Sequence, residues 1–198
     1  MSHLRLFSSV ALIVIPLLAP LASAADPSVQ GIPNFHQVNA RLFRGGQPSA
    51  LAWPGLSARG VSTVIDLCRP GEHDVAEEAR AVEAAGMRYV NIPLEGFAAP
   101  SSATVTSILE QVDAGDTVFV HCKRGMDRTG TVVAAYRIAR ERWTNQKALD
   151  EAVSLGMHWY SSAMKRFILG YRAPGEEPGR GGPPSDSTAT PAGAPGGP

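Results

Sequence analysis

A strand, a tight loop and a helix in the middle of the chain limit most what this sequence can fold into. The apolar run 117–120 predicts a strand, the segment 121–130 has the glycines of a tight loop, and the run 131–140 predicts a helix. Elements in this order direct backbone N–H groups towards an anion at the start of the helix. The segment therefore predicts an anion-binding loop.

The same loop contains a cysteine and an arginine separated by five residues, Cys122 and Arg128. A helix N-terminus and a neighbouring arginine both lower the pKa of thiols in general and favour the nucleophilic thiolate. We therefore expect Cys122 to be a nucleophile that works without a metal. The alternative is a buried core cysteine, which is common in strands. Arg128 and two glycines in register, Gly125 and Gly130, favour the nucleophile.

The rest of the chain predicts one α/β domain. Strands alternate with helices and the connections are short, so we expect a central, mostly parallel sheet of about four to five strands flanked by helices. Pro54 weakens the first helix, because proline disrupts a helix interior. The predicted strands are 35–39, 41–44, 61–68, 87–93 and 117–120, and the predicted helices are 49–59, 74–85, 101–112, 129–143, 146–155 and 162–169.

Three segments follow the carboxyl ends of predicted strands. They are Cys122, Arg69 and the loop 94–100. Ligands of parallel sheets bind beyond these strand ends. We expect the three segments to meet at one edge of the sheet and to form one site.

The composition argues against several partners and cofactors. Lysine plus arginine equals aspartate plus glutamate at 18 each, so no overall field attracts nucleic acid or anionic membranes. The two cysteines, Cys68 and Cys122, are too few for a disulfide framework or a four-sulfur metal site. The histidines are not spaced as metal ligands, and we expect neither a metal nor a cofactor.

The two ends of the chain differ from its centre. Residues 1–24 have a basic start, an apolar stretch and a small-residue cleavage pattern, which predicts a secretory signal peptide. A membrane anchor is the alternative, but the apolar stretch is short and contains prolines. Residues 29–171 would form the domain, and residues 173–198, rich in Pro and Gly, a disordered tail. We expect a monomer without a membrane span, exported to the periplasm or secreted.

The segment 121–130 also resembles a known signature. His-Cys, two residues, Gly, two residues, Arg-Thr-Gly is similar to the signature of the cysteine-dependent protein tyrosine and dual-specificity phosphatase superfamily. Residues 43–48, Phe-Arg-Gly-Gly-Gln-Pro, resemble a stretch of its small atypical dual-specificity type, and the order of elements over 35–170 fits as well. The resemblance implies a protein tyrosine phosphatase-like fold and hydrolysis of phosphate monoesters through a phosphocysteine intermediate.

The resemblance and the residue types together imply a role for each loop residue. Cys122 would attack phosphorus, and the planar guanidinium of Arg128 would grip two phosphate oxygens. Thr129 would hydrogen-bond the sulfur, and His121 and Gly130 would support the loop. Phosphate would be bound within the run Lys123, Arg124, Gly125, Met126, Asp127 and Arg128, mainly through backbone N–H groups.

The leaving group needs a proton, and two carboxylic acids are candidates for the general acid. The superfamily often places an aspartate in the loop after the preceding strand, but here the loop 94–100 offers only Glu95. Asp127 lies inside the phosphate loop, and Cys-x-x-Gly-x-Asp-Arg resembles the loop of myotubularin-type lipid phosphatases. We favour Asp127 and keep Glu95 as the alternative. Either could instead be an exposed or loop-bracing carboxylate.

A basic rim around the site would select the substrate. Its candidate members are Lys123, Arg124, Arg69 and Arg44. Such a rim suits a phosphoinositide or an inositol phosphate, as the alternative to a phosphorylated protein. The same residues could also be ordinary solubilising charge.

Cys68 ends a strand expected beside the strand of Cys122. In an oxidising compartment it could form a disulfide that protects Cys122 from over-oxidation; the alternative is a core cysteine. Two other functions stay open. A rhodanese-type sulfurtransferase also has a reactive cysteine after a strand, and a non-catalytic phosphate-binding module is disfavoured by the intact Cys122 and Arg128.

Overall fold

The structure, a computed structural model, describes residues 29–175 of the chain. The predicted signal peptide, residues 1–24, lies outside the described residues, and so does most of the predicted tail, residues 176–198. Within the described part, Tyr171 and Ala173 are buried in a core cluster.

Five strands form a central sheet, and its first two strands make an antiparallel hairpin at one edge. The strands are β1 (His36–Asn39), β2 (Leu42–Gly46), β3 (Thr63–Asp66), β4 (Arg88–Asn91) and β5 (Val118–Cys122). Their order in the sheet is β1-β2-β5-β3-β4. β1 pairs with β2 in the antiparallel sense, and the other neighbours are parallel. The predicted α/β fold with a mostly parallel sheet is confirmed.

Helices connect the strands and end the domain, and three of them begin at a side-chain cap. The side chains of Asp74, Ser101 and Thr144 each accept a hydrogen bond from the backbone N–H three residues later, which satisfies one free donor of the first turn. The helices are α1 (Trp53–Ser57), α2 (Val75–Ala84), α3 (Ser102–Ala114), α4 (Asp127–Glu141), α5 (Asn145–Ser154) and α6 (Ser162–Gly170).

Several predicted boundaries differ from the structure, and three of them bear on the chain's local chemistry or on the site. α1 is shorter than the predicted 49–59, and Pro54 stands in its first turn, where a missing N–H costs nothing. β5 extends two residues beyond the predicted 120, so Cys122 is the last residue of a strand. α4 ends at Glu141 because Arg142 adopts a left-handed conformation with φ 59°.

The sheet is covered on both faces, which explains why its inner strands read as continuous apolar runs. Side chains from alternate positions of β2, β3 and β5 point to opposite faces. One face packs with Trp53 and Leu56 of α1 and Val82 of α2. The other packs with α3 and α4, and a further cluster joins α4 to α5 and α6. Between residues 29 and 175, no helix combines the length and the apolar character needed to cross a membrane.

Candidate active site

The anion-binding loop joins β5 to α4 and is closed by contact with β2. Gly125 has φ 71°, a conformation that side-chain-bearing residues rarely adopt. A Cβ at this position would also overlap the backbone of Gly45 and Gly46. Gly46 in turn pairs with Cys122 across the sheet. The stretch Arg-Gly-Gly-Gln-Pro and the phosphatase-like signature therefore form one packed unit.

Cys122 and Arg128 lie together beneath this loop. The cysteine is 2% exposed and the arginine 6% exposed. Arg128 is the second residue of α4, so the positive end of the helix and a guanidinium face the same small volume. Thr129 is fully buried, and its Oγ1 has no hydrogen-bond partner within residues 29–175. A hydroxyl donor is thus available beside the cysteine loop.

Glu72 holds the guanidinium of Arg128 in place. Its Oε2 lies 2.6 Å from Nη1 and its Oε1 3.1 Å from Nη2, a two-point contact that fixes the plane of the guanidinium. Burial alone would lower the pKa of Arg128. The bonds to Glu72 and the negative charge of Cys122 outweigh burial and raise this pKa above its ordinary value. Burial would likewise raise the pKa of Glu72, but Arg128 and the N–H of Arg69 keep it below its ordinary value.

The three segments expected at one sheet edge do meet there. Nη1 of Arg128 donates to the carbonyl oxygens of Leu67, at 3.2 Å, and Leu94, at 3.4 Å. These carbonyls belong to the segments that follow β3 and β4. Glu72, which sequence reasoning missed, completes the contact from the turn after β3. The sequence signal for this role was only the presence of an acidic residue in the turn. No fixed spacing connects Glu72 to Arg128 in the sequence.

Asp127 is bound on both of its carboxylate oxygens. Oδ1 accepts from the N–H of His158 at 2.9 Å and from Oγ of Ser161 at 2.5 Å, and Oδ2 lies 2.7 Å from Nδ1 of His158. Burial would raise the pKa of Asp127, but these hydrogen bonds outweigh it and lower the pKa below its ordinary value. Asp127 therefore links the phosphate loop to the segment between α5 and α6.

Glu95 is held much less firmly. Its side chain is 65% exposed and makes one ion pair, with Nη1 of Arg69 at 2.7 Å. It directly follows Leu94, whose carbonyl accepts from Arg128. Of the two predicted candidates for the general acid, Glu95 is the exposed one and Asp127 is the one held by several hydrogen bonds.

The candidate members of the predicted basic rim differ in their exposure. Lys123 and Arg124 are exposed, and Lys123 Nζ donates to the carbonyl of Glu72 at 3.0 Å. Arg69 is partly exposed beside Glu95. Arg44 is not part of a rim: it is 1% exposed on β2, and its Nη2 donates to the carbonyl of Gly125 at 2.7 Å. β2 lies inside the sheet and is covered on both faces, so neither side of this strand reaches solvent.

A buried polar network supports the loop from behind through His121. Nε2 of His121 lies 2.9 Å from Oε1 of Glu78, and Oε2 of Glu78 lies 2.7 Å from Nε2 of His73 and accepts from Gln47 at 2.6 Å. Gln47 belongs to the Arg-Gly-Gly-Gln-Pro stretch. Burial would raise the pKa of Glu78, but its bonds to His121 and Gln47 and the charge of His73 lower it.

Asp66 completes this network and bears on its capacity to hold a metal. Asp66, Glu78 and His121 offer ligand atoms within 4.8 Å of one another. The carboxylate of Asp66 already accepts from the N–H of Cys68 at 2.7 Å, from Tyr89 at 2.7 Å and from Asn91 at 2.9 Å. Both carboxylate oxygens of Asp66 are therefore engaged by hydrogen bonds within the protein.

Cys68 is buried and free, as is Cys122. Its thiol donates to Oε1 of Gln47 at 3.5 Å. Burial, and then the nearby carboxylate of Asp66, strongly raise the pKa of Cys68. Both cysteines belong to the same core cluster. The N–H of Leu67 bonds to the carbonyl of His121 at 2.9 Å, so the segment just after β3, which contains Cys68, lies beside the end of β5, which contains Cys122.

An aromatic cluster stands beside the phosphate loop and was not predicted. Tyr160 stacks on His158 with ring centroids 4.8 Å apart, and its ring lies 6.2 Å from Phe97 and 5.6 Å from Trp159. His158 connects the cluster to Asp127 of the phosphate loop, and Phe97 belongs to the loop of Glu95. Phe97 is 73% exposed and Trp159 85% exposed, which leaves apolar rings open to a ligand or partner.

A cysteine at the end of a parallel strand, followed by a glycine loop and an arginine at the head of a helix, is the arrangement of the cysteine-dependent protein tyrosine and dual-specificity phosphatases. The chain belongs to the family described as DSP-PTPase phosphatase fused to NAD+ Kinase, whose model matches residues 22–167. The expected superfamily and the protein tyrosine phosphatase-like fold are thereby confirmed.

Several proteins of this class are similar to the chain. The dual specificity protein phosphatase TpbA of Pseudomonas aeruginosa (strain UCBPP-PA14) is 32% identical over 134 residues, which is 66% of this chain and 56% of TpbA. Inositol diphosphatase DSP2 of Oryza sativa subsp. japonica is 29% identical over 145 residues, 68% of each chain. The crystal structure of a TpbA variant in complex with pTyr superposes with a TM-score of 0.61 at 27% identity, covering 74% of this chain and 87% of the other. The chain thus spans about half the length of its TpbA relative.

Proposed function

We propose that the protein hydrolyses phosphate monoesters through a phosphocysteine intermediate. The observation that carries the proposal is the buried pair of Cys122 and Arg128 beneath a closed glycine loop at the head of α4. The thiolate of Cys122 attacks phosphorus while the bond from phosphorus to the ester oxygen breaks, and the leaving oxygen takes a proton. Water then attacks the phosphocysteine, and phosphate and the thiolate are released.

The roles of the other loop residues follow from their positions. Backbone N–H groups of the loop and the guanidinium of Arg128, fixed by Glu72, stabilise charge on the phosphoryl oxygens. Thr129 supplies a hydroxyl to the departing sulfur in the second step. We place the proton donor on Glu95, because Asp127 is held as a carboxylate by His158 and Ser161. Asp127 then braces the first turn of α4.

We propose phosphorylated proteins, including those with phosphotyrosine, as the substrate. The exposed rings of Phe97, Trp159 and Tyr160 beside the loop offer a flat apolar surface to an aryl group. The similarity to a TpbA variant that was crystallised with pTyr supports the same class.

A phosphoinositide or an inositol phosphate is the second candidate. The exposed Lys123 and Arg124 could bind a further phosphate, and a rice relative is described as an inositol diphosphatase. We further propose export to the periplasm or the medium, which rests on the pattern of residues 1–24 alone. Amino-terminal sequencing of the protein recovered outside the cytoplasm, beginning near residue 25, tests the export.

A substrate panel tests the proposed function. The reduced full chain would be compared on phosphotyrosine peptides, phosphoserine peptides, phosphoinositides and inositol phosphates, with Cys122→Ser as the inactive control. We expect turnover of phosphotyrosine peptides to be fastest. Preference for inositol phosphates, lost in Lys123→Ala/Arg124→Ala, would favour the second candidate. Thiosulfate turnover without phosphate release would show that the protein is a sulfurtransferase and not a phosphatase. Phosphate binding without any turnover would show that it is a non-catalytic binding module.

A further inference from the structure

Arg44 is a buried cation directly beneath the phosphate loop. It is 1% exposed, and Nη2 is its bonded nitrogen, donating to the carbonyl of Gly125 at 2.7 Å. Nε and Nη1 have no hydrogen-bond partner among the described residues 29–175. A buried guanidinium with two unused nitrogens is unfavourable unless a nearby charge compensates it.

The negative charges that act on Arg44 come from two residues, Glu151 of α5 and Cys122 of β5. Glu151 is already engaged, because both of its oxygens accept from Arg137 of α4, at 3.1 and 2.7 Å. Burial, with a smaller contribution from the charge of Arg137, lowers the pKa of Arg44 to about 10 although Glu151 and Cys122 oppose the shift, so the side chain stays charged at neutral pH. Arg44 pairs with Val120 and Gly46 pairs with Cys122 between β2 and β5, so the side chains of Arg44 and Cys122 point to the same face of the sheet. Cys122 is thus the anionic group of the site that acts on Arg44 besides Glu151.

The hydrogen bond to Gly125 also orients a peptide group of the loop. The carbonyl of Gly125 accepts from two side chains, Arg44 and Asn34, the latter at 2.9 Å. The peptide between Gly125 and Met126 is trans, so its N–H points opposite to its carbonyl. With the carbonyl held towards the interior, the N–H of Met126 faces the outer side of the loop, where phosphate binds.

We propose that Arg44 is a positioning residue of the phosphate site with two effects. Its charge stabilises the thiolate of Cys122 from below, and together with Asn34 it aims the N–H of Met126 at the phosphate. The proposal rests on the proposed function for its meaning in catalysis. It deepens that function by adding a second arginine, from a different strand, to Arg128.

The charge effect is tested by alkylation of Cys122 with iodoacetamide as a function of pH, because only the thiolate reacts. Arg128 and Cys68 also interact electrostatically with Cys122, and His121 and Lys123 adjoin it in the chain. Because Cys68 could itself be alkylated, the measurement uses a Cys68→Ser background. In Arg44→Met we expect the midpoint to move to higher pH and alkylation near neutral pH to slow roughly ten-fold. Arg44→Lys keeps the charge and should restore the midpoint.

The orienting effect is tested by the affinity for vanadate and for inorganic phosphate. We expect Asn34→Gly, which accommodates the φ of 50° at that position, to weaken both about ten-fold without moving the alkylation midpoint. Arg44→Lys should weaken them similarly, since a single ammonium replaces the guanidinium. Arg41→Met is the matched control, because Arg41 lies just before β2, at the end remote from the phosphate loop, and also donates to backbone carbonyls, those of Gly115 and Asp116. Loss of Arg41 should change neither the alkylation midpoint nor the oxyanion affinity.

The outcomes separate the inference from the function it rests on. An unchanged midpoint and unchanged oxyanion affinity in folded Arg44→Met would show a merely structural arginine and overturn the proposal. If Arg44→Met does not fold, Arg44→Lys and Asn34→Gly decide, and normal oxyanion affinity in both overturns it. A wild-type chain with a reactive Cys122 that hydrolyses no phosphate ester would instead remove the proposed function, whatever the variants show.

Discussion

At the scale of single residues, the site divides into groups that local sequence predicts and groups that only the fold supplies. Cys122 and Arg128 could be predicted because strand, loop and helix fix their spacing within one segment. Glu72, His158 and Ser161 could not, because tertiary packing brings them from turns and loops with no fixed distance in sequence. The roles of these five residues stay predictions until variants are measured.

The proton donor gives the first test at this scale. We expect Glu95→Gln to lose the basic limb of the pH–rate profile and to lower kcat by about 100-fold or more for poor leaving groups, with rescue by a good one. Asp127→Asn should keep the basic limb, because its pKa is lowered and its oxygens are occupied. Loss of the basic limb in Asp127→Asn alone would assign the role of general acid to Asp127. A basic limb that is retained in both variants would exclude both residues as the general acid.

Cys68 provides the second test at the scale of single residues. With hydrogen peroxide, the thiolate of Cys122 is oxidised to a sulfenic acid with release of hydroxide. Attack by the sulfur of Cys68 then forms the disulfide as water leaves. We expect peptide mass spectrometry of the peroxide-treated chain to find this bond, and sulfinic acid at Cys122 in Cys68→Ser. Sulfinic Cys122 beside a free Cys68 in the wild type would contradict the prediction.

At the scale of elements, the anion loop depends on β2 as much as on β5 and α4. The phosphatase-like signature and the Arg-Gly-Gly-Gln-Pro stretch lie about 75 residues apart in sequence, yet Gly46 pairs with Cys122, and Gly125 lies against Gly45 and Gly46. The elements themselves were predicted well, since caps and glycines mark their ends. The prediction that Arg44 belongs to an exposed rim was wrong. The sequence of β2 alone does not show that neighbouring elements cover both of its faces.

Gly125→Ala tests the contact between these elements. A methyl group there would overlap the backbone of Gly45 and Gly46 and strain a φ of 71°, so we expect kcat/KM to fall at least about 100-fold and the free energy of unfolding to fall by about 1–3 kcal/mol. Gly71→Ala is the control, because it shares the positive φ of 88° but a Cβ there meets nothing within 4 Å. An active Gly125→Ala would show that the loop has another closed form.

At the scale of the whole molecule, three carboxylates with lowered pKa values tie the domain together. Glu72 joins the turn after β3 to α4, Glu78 joins α2 to β5, and Asp127 joins α4 to the segment before α6. Each is ionised more readily in the folded than in the unfolded chain. Each therefore contributes stability that is present above the unfolded pKa, near 4, and is lost as pH falls through the folded pKa.

The melting temperature as a function of pH tests this. We expect Tm to be steady near neutral pH and to fall steeply below about pH 4. Asp127→Asn should have a lower Tm at neutral pH and a shallower fall in acid, because one of the three linked protons is gone. Asp113→Asn, which alters a partly exposed ion pair with Arg140, should change little. A Tm that rises on acidification would contradict the assigned ionisation.

The exposed indole of Trp159 makes the protein its own optical probe. Of its three tryptophans, Trp53 is buried among apolar side chains, and Trp143 lies under Arg137 and Lys147. Trp159, at 85% exposure, should therefore provide the red-shifted, iodide-quenchable part of the fluorescence. A ligand that settles on the rings beside the phosphate loop would shift that emission to the blue. Binding to the inactive Cys122→Ser protein can then be followed by fluorescence, without any turnover.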